Sequence, residues 1–437
     1  MSSVVIPPIY RWSSGQKYYI LYVRSVNKSY GSSTEGSRMA GFTGTASVVG
    51  VFEHPRERVH QGRRLLALEQ WAELAASALR DAKIHPSEVD GLICNDIRES
   101  ATFAPATIAE YLGWSVGFAE RVDLGGASPV GMVGRAAAAI ELGLCETVVC
   151  AAPARPRPPH PNPSRAAWTT FGASSNEWGS PQAEFEIPYG NLAQNAGYAM
   201  IAQRYAHEYG YDERVLAKIA AAQRDNAQLN PDAVFYGQQI SVEDVLASKM
   251  IADPLHLLEI VMPCQGGAAV VVTTTDRARR LGRRPVRVMG YGEQLSHKTP
   301  TFARSLVDIP LREAATRAIA MAGVGHSAID AVQLYDCYTI TVLLSIEASG
   351  FCAPGEGLDF VRDHDLRWNG SFPTNTGGGQ LGSGQALAAG GFTQLVEAVR
   401  QVRGEVGQRQ VRNCDTVFVS GTGGIMSEQT AVVLQGE

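Results

Sequence analysis

The stretch IHPSEVDGLI at residues 84–93 is followed, 240 residues later, by VGHSAIDAVQ at residues 324–333. The same shift places VVGVFE at residues 48–53 on VMGYGE at residues 288–293. In both pairs the apolar and small residues fall at equivalent positions. Self-similarity at a fixed spacing is the signature of a duplicated structural unit, so these stretches predict two related halves.

Each copy has the same order of predicted elements. A β-branched strand precedes a helix, predicted at 65–83 in the first copy and at 311–323 in the second, and the repeated stretch then supplies a second strand. After a Gly-rich turn and another helix, CETVVC at 145–150 and CDTVFV at 414–419 predict a further strand. Strands that alternate with helices predict βαβ units and a mostly parallel sheet. We therefore predict an α/β fold of two similar halves, packed in layers about a pseudo-two-fold axis, with the ligand site where they meet.

The repeats also set the predicted domain boundaries. Residues 39–151 form the first half and residues 286–437 the second. Residues 152–285 do not repeat and are predicted to be a loop domain inserted over the site. Residues 1–38 are basic and Ser-rich, with Glu35 as their one acid. We predict a flexible extension there, with a transit-like peptide as the alternative.

Composition excludes several classes of function. The 437 residues carry a net charge of -5 and 45% hydrophobic side chains, which suits a large buried core and gives no basic surface for nucleic acid or an anionic membrane. The seven cysteines are scattered, without a CxxC pair or metal-ligand spacing. They predict reduced thiols in a cytoplasmic protein, with no metal site. No apolar run approaches the roughly 20 residues of a membrane span.

Three motifs then follow in a fixed order. DPL at 253–255 with GAAV at 267–270 resembles the end of the thiolase loop domain. LYDCYT at 334–339 resembles the HDCF region of sterol-carrier-protein thiolases. NTGGG at 375–379 with GQALA at 384–388 resembles the NxxGG and GHPxG stretches of thiolases. Together with the duplication, these motifs make almost the whole chain resemble the thiolase superfamily, and the resemblance implies a thiolase fold that binds acyl-coenzyme A.

The groups with which a thiolase performs its chemistry are missing. VDLGGAS at 122–128 places Gly126 where thiolases carry their nucleophilic cysteine. The last Gly-rich loop, SGTGG at 420–424, lacks the second cysteine, and Gln385 stands in place of the GHPxG histidine. Tyr335 replaces the HDCF histidine. Since glycine has no side chain with which to attack a thioester, the resemblance implies acyl-CoA binding without the usual covalent transfer.

One branch of the superfamily shares this loss. The lipid-transfer-protein-like aldolases use tyrosines in place of Cys and His, and they cleave a β-hydroxyacyl-CoA by a retro-aldol reaction. Tyr335 matches a catalytic tyrosine of that branch, whereas Gln385 stands where the branch has its second tyrosine. A glutamine can donate and accept hydrogen bonds but cannot act as a general base. The resemblance also implies a small partner with a zinc ribbon and an OB-fold.

The resemblance assigns two groups of site residues. The catalytic candidates are Tyr335, Tyr338 and Gln385. The candidates for binding the substrate or its oxyanion, through backbone amides or polar side chains, are Gly126, Asn375, Gly378 and Gly424. Asp336 has a counterpart in the first copy and is predicted to bond loop backbone.

Three functions remain open at this stage. The first is a carbon–carbon lyase acting on a β-hydroxyacyl-CoA, with a sterol-like acyl group as one option. In this reaction Tyr335 would hydrogen-bond or protonate the enolate, and the base would be Tyr338 or a group supplied by the partner. The second is an acyltransferase that uses Cys337 or Cys352 as its nucleophile. The third is a non-catalytic acyl-CoA-binding subunit. All three predict coenzyme A as part of the substrate and no other bound cofactor. By resemblance, we also expect a homodimer through the sheet edge near 117–124.

Overall fold

The computed structural model describes residues 41–159, 177 and 179–437. The predicted extension, residues 1–38, lies outside the described residues. The strands are Ala46–Glu53 (β1), Gly91–Cys94 (β2), Phe118–Arg121 (β3), Thr147–Ala154 (β4), Met250–Ala252 (β5), Leu255–His256 (β6), Gly266–Thr274 (β7), Val286–Leu295 (β8), Ala331–Gln333 (β9), Thr416–Gly423 (β10) and Glu428–Gly436 (β11). The helices are Ala67–Ala82 (α1), Ala104–Leu112 (α2), Ser128–Glu141 (α3), Pro181–Phe185 (α4), Gln194–Tyr209 (α5), Glu213–Ala227 (α6), Val242–Ala247 (α7), Thr275–Arg280 (α8), Leu311–Ala322 (α9), Thr339–Ala348 (α10), Gly357–Asp363 (α11), Gly379–Ser383 (α12) and Phe392–Arg403 (α13).

The central sheet of the described chain repeats one strand order twice. Its nine strands run β3-β2-β4-β7-β1-β8-β11-β10-β9. Read outward from the β1–β8 pair, β7, β4 and β2 of one half correspond to β11, β10 and β9 of the other. The two halves are joined where Ser47 and Val48 pair with Arg287 and Val286. The duplication predicted from the sequence is therefore present in the topology, and the predicted α/β fold of two similar halves is confirmed.

The prediction of a mostly parallel sheet is wrong. The pairs β2–β3, β2–β4 and β9–β10 are parallel, but β7 and β11 run antiparallel to both of their neighbours. The reason lies in the connections. Strand β11 follows β10 directly through a tight turn, and a turn of this kind, unlike a helical crossover, reverses the chain. The sheet is therefore mixed, with its parallel pairs toward the two outer ends.

The first strand of each half makes the same close contact with the helix that follows it. Val49 bulges out of the β1–β7 ladder, and Met289 bulges out of the β8–β11 ladder. A Cβ atom on Gly50 would lie 2.3 Å from the carbonyl oxygen of Ala78 in α1. A Cβ atom on Gly290 would lie 2.0 Å from the carbonyl oxygen of Ala318 in α9. Only glycine allows strand and helix to approach so closely, and the duplication preserved the contact in both halves.

Two aspartates also repeat their role. The carboxylate of Asp90 accepts hydrogen bonds from the backbone N–H groups of Glu146 and Thr147, where β4 begins. The carboxylate of Asp330 accepts them from Asp415 and Thr416, where β10 begins. In each half an acidic side chain thus satisfies backbone donors at the entrance to a buried strand.

The core is layered. Helices α3 and α13 contact each other and contact strands of both halves, so they form the inner layer. Helix α1 packs on β1, β4 and β7, and α9 packs on β8 and β11, so each covers the outer face of one half. Alternate strand residues serve the two faces: Val417 and Val419 face the inner core, while Phe418 faces the outer one. Because alternate residues point to opposite faces and both faces are buried, the strands have continuous apolar sequences.

The predicted loop domain, 152–285, overlaps the sheet. Its GAAV stretch belongs to β7, which lies between β4 and β1 in the middle of the first half. Helices α4 to α7 and the small β5–β6 sheet lie in the rest of that range. The boundary at 285 stays a prediction. The residues of this segment that line the cavity described below are Gln194 and Tyr198.

The cysteines form no disulfide, and the described helices include no candidate membrane span. All seven cysteines are free thiols. Within residues 41–159, 177 and 179–437, no helix combines the length and the apolar character needed to cross a bilayer.

The repeated glycine contact predicts a matched pair of destabilised variants. Gly50→Ala and Gly290→Ala should each lower the free energy of unfolding by about 1–3 kcal/mol, because the added methyl group would push strand from helix. Chemical denaturation monitored by circular dichroism measures the change. Gly325→Ala is the control, because the nearest side-chain atom to a Cβ there is 3.9 Å away. Equal stability of the Gly290→Ala variant and the parent would contradict this account of the contact.

Candidate active site

A cavity of about 360 Å³ lies where the two halves meet. The turn before α3 contributes Asp123, Gly125 and Gly126 to its wall, and the end of β10 contributes Thr422 and Gly423. The other lining residues come from distant parts of the chain: Gln194, Tyr198, Lys298, Tyr335, Cys337, Gln385, Gly424 and Glu428. The sequence-based expectation of a site between the halves, past the ends of parallel strands, therefore agrees with the position of this cavity.

A larger depression of about 620 Å³ lies elsewhere, between α5, α6 and α11. Both of its arginines are already paired. Arg362 contacts Asp212 at 3.2 Å, and Arg214 contacts Glu243 at 2.6 Å. None of the residues predicted for the site from the sequence lines it, so the cavity between the halves is the candidate active site.

The hydroxyl of Tyr335 occupies the place where a side chain of residue 126 would begin. A Cβ atom on Gly126 would lie 2.1 Å from the Tyr335 Oη atom and 2.5 Å from the carbonyl oxygen of Thr422. Both distances are far below van der Waals contact. A side chain at position 126 and the observed Tyr335 therefore exclude each other, and the loss of the thiolase cysteine has a direct steric counterpart in this cavity.

Gln385 orients this hydroxyl. Its Nε2 atom donates a hydrogen bond of 2.8 Å to Tyr335 Oη, which leaves the phenolic proton available for another acceptor. Burial raises the pKa of Tyr335 well above its ordinary value, although the hydrogen bond from Gln385 acts in the opposite direction. Tyr335 therefore stays protonated at neutral pH, and its phenolic proton can be donated to a ligand.

The segment that carries Tyr335 is held by buried polar bonds. Asn375, with φ at 49°, accepts a hydrogen bond from Leu334 N–H at 2.7 Å and donates one to the Leu334 carbonyl at 2.8 Å. The carboxylate of Asp336 accepts bonds from the backbone N–H groups of Gln380 and Leu381, at 2.8 and 3.0 Å. Asp336 thus bonds backbone as predicted, although the two N–H groups belong to the start of α12 and not to a loop. Burial nevertheless raises its pKa to about 8.

Two residues predicted to bind the substrate lie away from the cavity wall. Both amide atoms of Asn375 are used on Leu334, so this side chain positions the Tyr335 segment. Gly378 packs against α6, where an added Cβ would lie 2.6 Å from that of Ala227. Gly126 and Gly424, by contrast, both line the cavity. Substrate contact by Asn375 and Gly378 stays a prediction that this geometry does not favour.

Tyr338 is one layer behind the cavity. Its hydroxyl donates a 2.6 Å hydrogen bond to Asn195 Oδ1, and its ring stacks on Tyr198 with centroids 4.1 Å apart. Tyr198 is the residue of this pair that lines the cavity, where its hydroxyl donates to the Gly424 carbonyl at 3.2 Å. The predicted catalytic role of Tyr338 therefore stays a prediction, and Tyr198 is a lining tyrosine that the sequence analysis missed.

A helical signal could have identified Tyr198. The apolar stripe of α5 includes Ile201 and Tyr205, and Tyr198 precedes them by three and seven residues on the same face. The charged lining residues Asp123, Lys298 and Glu428 were also missed. Asp123 lies in the VDLGGAS stretch, whereas Lys298 and Glu428 belong to no motif, so no local pattern brings the three residues together.

Cys337, the thiol among the lining residues, is not activated as a nucleophile. Burial raises the pKa of Cys337 to about 12, and the same effect raises the pKa of Cys352 to about 12. A thiol attacks a thioester as its thiolate, so neither group is activated in this structure. Within the described residues there is also no group of three or more His, Cys, Asp or Glu that could hold a metal ion.

Comparison with known proteins agrees with this geometry. A family model described as "Thiolase C-terminal domain-like" matches residues 292–436. The steroid side-chain-cleaving aldolase of Thermomonospora curvata is 34% identical over 398 residues, which are 88% of this chain and 97% of that protein. The 17-hydroxy-3-oxo-4-pregnene-20-carboxyl-CoA lyase of Mycobacterium tuberculosis is 32% identical over 367 residues, 83% of this chain and 92% of that protein.

A solved structure gives the same result. The Ltp2-ChsH2(DUF35) aldolase superposes with a TM-score of 0.78 at 31% identity, and the match covers 91% of this chain and 99% of that one. Both the fold and the sequence are therefore shared over nearly the whole length. The chain belongs to the thiolase superfamily, in the branch that contains the steroid side-chain-cleaving aldolases.

Proposed function

We propose that this chain is a carbon–carbon lyase that cleaves a β-hydroxyacyl-CoA by a retro-aldol reaction. The observation that carries the proposal is the Tyr335 hydroxyl, which stands in the place of the thiolase nucleophile and is kept protonated by burial. A protonated phenol at this point can stabilise an enolate but cannot form an acyl-enzyme. Relatives named as an aldolase and as a lyase, both matched over most of their length, support the same reaction class.

The chemistry follows from the positions of these groups. Cleavage of the Cα–Cβ bond leaves an enolate whose negative charge develops on the thioester oxygen. Tyr335 can donate its proton to that oxygen in a hydrogen bond, because Gln385 bonds the phenol through Nε2 and does not compete for the proton. A preorganised donor in a site shielded from water is worth far more than the same bond in water. The reaction is redox-neutral and consumes no free coenzyme A, which enters as part of the substrate.

For the acyl group we propose a steroid-type side chain. The two relatives described above are named for a steroid side chain and for a pregnene carboxyl-CoA, and the chain spans most of each. Tyr198 lines the side of the cavity nearest α5, but its side chain is buried and its ring stacks on Tyr338. The proposal for the acyl group therefore rests on these relatives.

We propose two protein partners. The solved relative is an Ltp2-ChsH2(DUF35) aldolase, which supports a small zinc-ribbon and OB-fold partner for this chain. A second copy of the chain is the other. In the described chain β3 lies at one end of the sheet and pairs with β2 alone. An edge strand of this kind is open to pairing, which supports a homodimer through the region near 117–124.

An acyltransferase is the second candidate, and the thiols argue against it. Cys337 lines the cavity, but burial holds its pKa near 12, so almost none of it is thiolate at neutral pH. A non-catalytic acyl-CoA-binding subunit is the third candidate. It predicts thioester binding without turnover in the presence of every partner.

The reaction itself is tested by product analysis. The purified chain, alone and with a co-purified OB-fold partner, is incubated with β-hydroxyacyl-CoAs and β-ketoacyl-CoAs. We expect mass spectrometry to show a shorter acyl-CoA and a ketone or aldehyde from the hydroxyacyl substrates without free CoA. Cleavage confined to ketoacyl substrates and dependent on free CoA would contradict the lyase and favour the acyltransferase.

Tyr335→Phe tests the enolate donor. Removing one preorganised donor costs about 10²–10³-fold in kcat, so we expect a loss in that range with an unchanged Kd for a saturated acyl-CoA. The exposed Tyr236→Phe is the control. Tyr338→Phe distinguishes the two predicted tyrosines and should cost less than about ten-fold, because its hydroxyl bonds Asn195 outside the cavity. Turnover of Tyr335→Phe within a factor of about two of the parent would refute this role.

Gly126→Cys tests the steric exclusion. Although it restores the residue that thiolases carry at this position, we expect no acyl-enzyme, because its Cβ would collide with Tyr335 Oη. We also expect lyase turnover to fall at least about 100-fold as Tyr335 is displaced. Intact-protein mass spectrometry after exposure to a β-ketoacyl-CoA, together with the lyase assay, measures both effects. A covalent adduct on residue 126 with lyase turnover retained would show that the two groups can coexist.

A further inference from the structure

The retro-aldol reaction needs a proton acceptor, and Gln385 cannot provide it. The bond between the substrate's β-carbon and its hydroxyl oxygen becomes a carbonyl only if the hydroxyl proton leaves. An amide side chain does not accept that proton at neutral pH. Tyr335 is protonated and is the proposed enolate donor. If this chain supplies the acceptor, it is therefore another group on the cavity wall.

Glu428 has the required position. It begins β11 and pairs with Gly423 at the end of β10. A Cβ atom on Gly423 would lie 2.7 Å from Glu428 Oε2, and one on Gly125 would lie 3.6 Å from it. The carboxylate therefore lies over Gly125 and Gly423. Gly126, the residue after Gly125, contacts the Tyr335 hydroxyl. Acid and phenol thus flank the same short turn of the cavity wall.

The carboxylate of Glu428 has no partner within the part of the chain that the structure describes. It forms neither a hydrogen bond nor an ion pair there, although Lys298 lines the same cavity. Other half-buried acids near this region are paired. Glu293, for example, receives a 2.6 Å bond from Arg135. An unpaired carboxylate over glycines has both its oxygens available to a ligand.

The surroundings of Glu428 suit a base. Burial raises the pKa of Glu428 above its ordinary value, Asp123 and Glu293 add to that rise, and Lys298 opposes it. The other titratable groups on the wall are Asp123, Lys298, Tyr198, Tyr335 and Cys337. Burial raises the pKa of the two tyrosines and of the cysteine, which leaves them protonated. Asp123 is exposed, whereas Glu428 is partly shielded from solvent.

We propose that Glu428 is the catalytic base that takes the proton from the substrate's β-hydroxyl group, an inference that rests on the proposed lyase function. The O–H electron pair forms the new C=O bond, and the Cα–Cβ bond breaks with its electron pair moving to the thioester enolate. Tyr335 stabilises the enolate oxygen. The proton held by Glu428 is then delivered to Cα, which gives the shorter acyl-CoA and a ketone or aldehyde. Atoms and charge balance without a co-reactant.

Glu428→Gln is the first test. It keeps the shape of the side chain and removes its basicity, so kcat for β-hydroxyacyl-CoA cleavage should fall by about 10²–10⁴-fold. The Kd for a saturated acyl-CoA, measured by calorimetry, should stay within about two-fold, and circular dichroism should show an unchanged fold. His297→Gln is the matched control: this histidine lies next to Lys298 but does not line the cavity, and its turnover should be retained.

The pH profile of the parent protein is the second test and needs no variant. Because the base must be ionised, log kcat/KM should rise with pH through the pKa of Glu428 and then level off. That limb should be absent from the residual activity of Glu428→Gln. Parent turnover that is independent of pH from about 4 to about 9, or Glu428→Gln turnover within about ten-fold of the parent, overturns the assignment of Glu428. If the parent cleaves no β-hydroxyacyl-CoA even with its partner, the proposed function itself fails, and the assignment of Glu428 fails with it.

Discussion

The space beside residue 126 can hold one group, and the character of the site depends on which group that is. In this chain the group is the Tyr335 hydroxyl, 2.1 Å from where a Cβ would stand. Two sets of buried hydrogen bonds keep the tyrosine segment in register with that glycine. One set joins Asn375 and Leu334, and the other runs from two backbone N–H groups of α12 to Asp336. The layered core around α3 and α13 holds the two elements together, although they come from opposite halves.

The architecture was predictable from the sequence to a large extent because the same order of elements occurs twice in the chain. The spacing of 240 residues aligns β1 with β8 and β2 with β9, and it aligns even the glycine contacts at Gly50 and Gly290. The antiparallel strands were not predictable in the same way. An apolar run such as that of β7 looks identical whether its neighbours run parallel or antiparallel, because strand direction is set by the connection and not by local composition.

The site was predictable only where a motif carried it. Tyr335, Gln385, Gly126 and Gly424 lie in motif stretches, and all four line the cavity. Asn375 and Gly378 lie in equally clear motif stretches, but they contact Leu334 and Ala227 and do not line the cavity. A motif shows that a residue is near a site, and it does not show which way the atoms of that residue face. Glu428 and Lys298 belong to no motif. Their proximity arises from the β10–β11 turn and from the loop after β8, which are tertiary features.

The mutual exclusion at residue 126 also constrains descent. A lineage that began with a thiol-bearing ancestor could not acquire Tyr335 in its present rotamer while any side chain remained at position 126. The change to glycine had to come before this rotamer was adopted or together with it, so a thiol at position 126 and the present Tyr335 hydroxyl never shared one working site. Descent from a thiol-bearing ancestor therefore admits no intermediate sequence that holds both groups in their working positions, and the change of chemistry at this point is a switch and not a gradual blend.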